Sequence, residues 1–85
     1  MPEISRFLGI IVYLVYDDHR PPRFHAQYGE YRITVGIDTG IVEGRFPKRA
    51  LRAVLEWAEI NRDRLMEDWE LAQQHQPLQR IPPLE

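Results

Sequence analysis

No cysteine occurs among the 85 residues. Disulfides, thiolate metal sites and thiol nucleophiles are therefore excluded, and the bare absence agrees with a reducing, cytoplasmic setting. A chain this short buries a smaller share of its surface than an average domain, so its core must hold without covalent reinforcement. A long apolar run is missing too. Phe7–Tyr16 has ten residues, about half of what a bilayer-spanning helix needs. It also makes a poor signal peptide, because Met1-Pro2-Glu3 supplies no basic leader and Asp17-Asp18 follows it. No membrane association is expected. Charge of one sign is equally scarce: 11 Lys and Arg against 13 Asp and Glu leave a formal −2. Any contact with RNA or DNA must then come from a local basic patch.

The remaining composition, 44% hydrophobic and 28% charged, is too apolar for disorder. There is no internal repeat, no glycine-rich phosphate loop and no linker able to separate domains. The reading is one α+β domain over residues 1–76, followed by a proline-rich tail over 77–85. Within the domain, Leu8–Tyr16 is β-branched and aromatic and apolar on both faces, which suits a covered strand. Arg23–Tyr28 alternates, with Phe24, Ala26 and Tyr28 on one side and Arg23, His25 and Gln27 on the other. Tyr31–Ile37 and Val42–Phe46 alternate likewise, and Gly29-Glu30 and Thr39-Gly40 offer turns. This predicts an antiparallel four-stranded sheet whose dry face carries Phe24, Ala26, Ile33, Val35 and Phe46. Pro47 ends the last strand. Leu51, Val54, Leu55, Ala58, Leu65, Trp69 and Ala72 then recur at helical spacing. Lys48–Gln74 is one long helix or two segments meeting near Asn61, which would cap the second. Trp57 and Trp69 read as core or homodimer contacts rather than as a binding platform. Leu78, Ile81 and Leu84 would let an extended tail pack on the sheet.

His19-Arg-Pro-Pro-Arg-Phe-His-Ala26, with Pro2–Ile10, Pro47-Lys-Arg-Ala-Leu51 and Glu56-Trp57, resembles the bacterial family catalogued as domain of unknown function 4160. The resemblance covers nearly the whole chain, and Pro-Pro-x-Phe-His-Ala is its most specific stretch. It implies no activity. It does imply a partner, since members are often encoded beside another small protein, of family 2442, in an arrangement similar to a toxin–antitoxin pair. Many relatives carry His where this chain has Arg23, so a metal site using that third His cannot operate here.

Three constellations follow from the residues. Two-residue turns would set His25, Thr34 and Arg45 in one row across three strands, each step about 4.8 Å, with Arg23 and Arg32 flanking. A His beside fixed cations is what metal-independent cleavage of a phosphodiester uses: His25 as acid or base, Arg23, Arg32 and Arg45 steadying charge on phosphorus. The bland alternative is a solvated sheet face that happens to hold one His; alternation turns His25 toward solvent, where its side chain needs no partner for stability. Second, Arg45, Lys48, Arg49 and Arg52 gather around a positive helix end and suit phosphate. They oppose the helix dipole, as Glu67, Asp68 and Glu70 do late in the helix, unless pairs such as Arg52–Glu56 and Arg64–Asp68 compensate. Third, His19, His25 and Asp17 or Asp18 could ligate a metal, but Pro21-Pro22 divides the two His. No cofactor is expected. The leading function is an interaction subunit of a two-gene module that binds its companion protein and acts with it on nucleic acid; the alternative is a metal-independent ribonuclease.

Overall fold

A computed structural model describes residues 2–85. Five strands, β1 (Glu3–Phe7), β2 (Ile10–Tyr13), β3 (Arg23–Tyr28), β4 (Tyr31–Gly36) and β5 (Val42–Arg45), precede two helices, α1 (Lys48–Ile60) and α2 (Arg62–Gln73). The sheet is a simple meander, β1-β2-β3-β4-β5, and every neighbour is antiparallel. Five strands replace the four expected. The run from Leu8 to Tyr16 is not one strand, because Leu8-Gly9 reverses the chain and pairs Phe7 with Ile10. Leu8 and Gly9 both have positive φ, 51° and 78°, as the tightest hairpin turns require.

The alternation in β3 and β4 is realised as read. Phe24, Ala26, Ile33 and Val35 are all buried beneath the helices, and Trp57 and Trp69 are fully buried among them. Trp57 meets Phe7 and Phe24 at ring separations of 5.5 and 5.8 Å. Both tryptophans therefore belong to the core. No helix among the described residues is long and apolar enough to cross a membrane.

Asn61 divides the helices, but it does not cap the second with its side chain. Its side-chain amide instead donates at 2.9 Å to the Trp57 carbonyl, which also accepts the Asn61 backbone N–H at 3.1 Å. Arg64 turns to the Asn61 side chain at 3.2 Å, so the expected Arg64–Asp68 pair is absent. No Arg52–Glu56 ion pair forms among the described residues either. Asp68 is buried, and one of its oxygens accepts the Gln79 N–H at 2.9 Å. Burial holds its carboxyl above the usual range.

The tail runs back along β1. The Ile81 N–H donates to the Ile4 carbonyl at 2.8 Å, and the Trp57 indole donates to the Pro82 carbonyl at 2.9 Å. Ile81 is buried, while Leu78 and Leu84 pack at the margin of the core. Arg80 meets Glu3 at 3.0 Å. One edge of the sheet is thus shielded by the chain itself, which removes an aggregation-prone template.

Candidate functional site

Both helices lie against one face of the sheet, so the opposite face is where side chains from five strands are left to meet a ligand. Its geometry follows from register. The Gly29-Glu30 turn places Tyr28 opposite Tyr31, Gln27 opposite Arg32 and His25 opposite Thr34, as expected. The β4–β5 connection differs. Gly36 N–H bonds the Ile41 carbonyl at 2.8 Å and the Thr39 hydroxyl accepts the Ile41 N–H at 3.2 Å, so Ile37–Gly40 form a wider loop. Thr34 consequently faces Glu43, and Arg45 faces Arg32. The slip is by an even number of residues, so each side chain keeps its face and changes its neighbours.

The expected His25–Thr34–Arg45 row is therefore replaced by two rows. One runs Glu3, Tyr13, His25, Thr34, Glu43; the other runs Arg6, Ile11, Gln27, Arg32, Arg45. They lie two residues apart along β2 to β5, about 7 Å, and three apart on β1, where the register shifts between Glu3 and Ser5. The structure does not bring Arg45 beside His25. Arg23 sits two residues before His25, opposite Gly36, and its Nε donates to the Pro21 carbonyl at 3.4 Å. Arg6 is bound to Glu3 at 2.7 Å, and that guanidinium, with Arg80 second, holds the Glu3 carboxyl below its ordinary range.

His25 is not the partnerless surface residue that alternation alone implies. The segment between β2 and β3 doubles back and sets the Asp18 carboxylate 2.8 Å from Nε2. The imidazole also stacks on Tyr13, with centroids 5.1 Å apart and planes 14° from parallel. Only 19% of the His25 side chain and 12% of the Asp18 side chain remain exposed. The other Asp18 oxygen accepts the His19 N–H at 2.8 Å, and Gln73 of α2 reaches the Asp18 carbonyl at 3.4 Å. Nearby, Asp17 meets His75 at 2.9 Å, and Tyr16 stacks on the same ring. A carboxylate only accepts, so Nε2 is the protonated nitrogen, and the tip of the ring is committed. The chemistry this arrangement serves is anchoring of the β2–β3 segment.

Asp18 and Tyr13 are the residues that sequence reasoning missed as partners of His25. Asp18 was legible only as a candidate ligand, and nothing in the pattern points to Gln73. His19 is exposed, both Asp18 oxygens are engaged, and no group of three His, Cys, Asp or Glu fit to hold a metal ion occurs among the described residues.

Lys48, Arg49 and Arg52 are exposed on the first turns of α1, which has no acidic residue there and no side-chain cap. Arg45, also exposed, stands in the row with Arg32 rather than on the helix. On the open face, Pro21, Pro22, Arg23, Thr34, Thr39 and Glu43 border a depression of about 200 Å³. That is smaller than the roughly 300–1,000 Å³ of most small-molecule sites, so the face suits a broad contact better than an enclosed substrate.

No curated protein and no solved structure matches this chain. The family model described as a domain of unknown function (DUF4160) matches residues 9–70, and the chain belongs to that family.

Proposed function

We propose that the protein is an interaction subunit whose open sheet face docks a partner protein presenting acidic side chains. The observation that carries this reading is the set of Arg23, Arg32 and Arg45 on that face, none with a carboxylate partner among the described residues. Unpaired guanidinium groups on a flat, rigid support recognise carboxylates in fork geometry and set orientation as well as attraction. Tyr13 is buried under His25 and offers no ring for base stacking, which favours protein over single-stranded nucleic acid here. The partner is the companion small protein expected to be encoded nearby, in a toxin–antitoxin-like pair. The ribonuclease reading has less support, since the His25 tip is held by Asp18 and Arg45 lies in the other row.

A second reading concerns the far end of the molecule. Tyr28 and Tyr31 are 37% and 42% exposed, and Tyr28 lines one depression with Leu8, Pro47 and Arg49. Aromatic and basic groups side by side suit a nucleic-acid strand, and Lys48 and Arg52 extend the basic character. The two surfaces separate by mutation. Co-expression with the neighbouring gene product should co-purify both chains, and Arg23→Glu with Arg32→Glu should abolish capture while circular dichroism stays unchanged. Capture that persists in that variant would refute the open-face reading. Loss of salt-sensitive RNA or DNA binding in Arg49→Glu with Arg52→Glu would support the second surface.

A further inference from the structure

We propose that β5 joins the β5 strand of a second copy of this chain, edge to edge and antiparallel, in a two-fold junction centred on Gly44. The two edges of the sheet are treated differently. The tail covers β1, whereas β5 pairs only with β4, and no other backbone group bonds its outer edge among the described residues. An open edge is a template for a further strand, and chains that avoid pairing usually block it with proline, lysine or a covering segment. Val42-Glu43-Gly44-Arg45 contains no proline or lysine, and no segment among the described residues covers it; what guards this edge is its four-residue length, its two charges and the positive φ of 107° at Gly44.

Its charges select one register. Glu43 and Arg45 face the same side as Thr34 and Arg32, and Val42 and Gly44 face the helix side. A two-fold pairing must keep like faces together, so only shifts by whole pairs are allowed. Centring on Gly44 sets Glu43 opposite the second copy's Arg45, and Arg45 opposite its Glu43. Moving the centre one step either way sets Glu43 against Glu43, or Arg45 against Arg45, and like charges directly opposite are destabilising. On the helix side, the same register brings Val42 against the second copy's Phe46. Both are half-buried and border an open groove with Tyr31, Ile33 and Leu51, and a second copy would cover that groove. Gly44 contributes no side chain at the crossing point.

The junction goes beyond the partner-binding reading and draws one of that reading's three arginines, Arg45, into the dimer. It neutralises Glu43, the carboxylate among the arginines of the open face, and leaves Arg23 and Arg32 of both copies free. The interface is small and places the dimer at the weak end of specific association.

The test is sedimentation equilibrium of the purified chain alone at low salt. Wild type should show a monomer–dimer equilibrium in the micromolar range that weakens as salt rises. Glu43→Arg and Arg45→Glu should each weaken it about tenfold, since two-fold symmetry repeats every clash. Mixing the two variants should restore a heterodimer at least as tight as wild type, which also shows that neither variant is misfolded. A wild-type chain that stays monomeric at the highest soluble concentration overturns the proposal. So does a dimer that neither reversal weakens, or a mixture that fails to associate. None of these outcomes depends on the companion protein, so failure here is distinguishable from failure of the partner-binding reading.

Discussion

Replacing His25 by Ala is a sharp probe of how the open face is built. The substitution removes one hydrogen bond between imidazole and carboxylate at 2.8 Å and one stacked contact with Tyr13 at 5.1 Å. A hydrogen bond to a charged group contributes about 1.5–3 kcal/mol when its partners are shielded, and ring stacking adds about 0.5–1.5 kcal/mol. Some water access at both side chains reduces these figures, and the Asp18 carboxylate can rehydrate once the ring is gone. The expected loss is about 1.5–3 kcal/mol. For a domain of this size each kcal/mol lowers Tm by about 4–8 °C, so a fall of roughly 6–24 °C is expected. Asp18→Ala should cost a similar amount, and the double variant little more than either, giving a coupling energy of about 1–2 kcal/mol. Urea unfolding of the four proteins, followed by tryptophan fluorescence, measures all these terms, because Trp57 and Trp69 report core exposure. A loss below about 0.5 kcal/mol, the range of ordinary surface substitutions, would show that the Asp18–His25 contact does not anchor the β2–β3 segment.

Three further perturbations test the fold around that face. Asp68 holds its proton more tightly folded than unfolded, so its term favours the folded state at acid pH and fades as pH rises through the raised value. Asp68→Asn should therefore flatten the decline in stability that denaturant melts record as pH rises above the ordinary carboxylate range, and an unaltered slope would count against the burial argument. Glu3 works in the opposite direction, since its carboxyl is held low by Arg6 and Arg80, and its stabilising term is lost as pH falls through that lowered value. Leu8→Asn installs Asn-Gly at positions that both have positive φ and should raise stability by about 0.5–1 kcal/mol. A neutral or destabilising result would mean that the exposed Leu8 side chain is packed in solution. Ile81→Ala removes a side chain only 3% exposed and should cost about 2–4 kcal/mol. A loss near zero would show that the tail does not shield β1.

Much of this architecture was legible because one face of each strand had to be dry. The alternation of Phe24, Ala26, Ile33 and Val35 determines which face the helices cover, and Gly29-Glu30 determines the β3–β4 register. Leu8-Gly9 was not legible as a turn. Leucine seldom adopts positive φ, and apolar residues on both sides made Phe7–Tyr16 read as a single strand. The β4–β5 register failed for a different reason. An even slip leaves the hydrophobic pattern untouched, so only the hydrogen bonds of the Ile37–Gly40 loop reveal that Arg45 belongs beside Arg32. The Asp18–His25 contact lies outside any periodic signal, because a segment containing Pro21-Pro22 joins residues seven positions apart. The Arg64–Asp68 pair predicted from helical spacing fails because buried Asp68 is committed to the Gln79 backbone and Arg64 to Asn61.

The central claim is that the arginines of the open sheet face hold a partner protein. Titrating the purified companion gene product into wild-type protein and into Arg23→Glu with Arg32→Glu, by calorimetry at two salt concentrations, tests it directly. The account predicts saturable binding by wild type that weakens with salt, and at least about tenfold weaker binding by the folded variant. Equal affinities for the two proteins would contradict it.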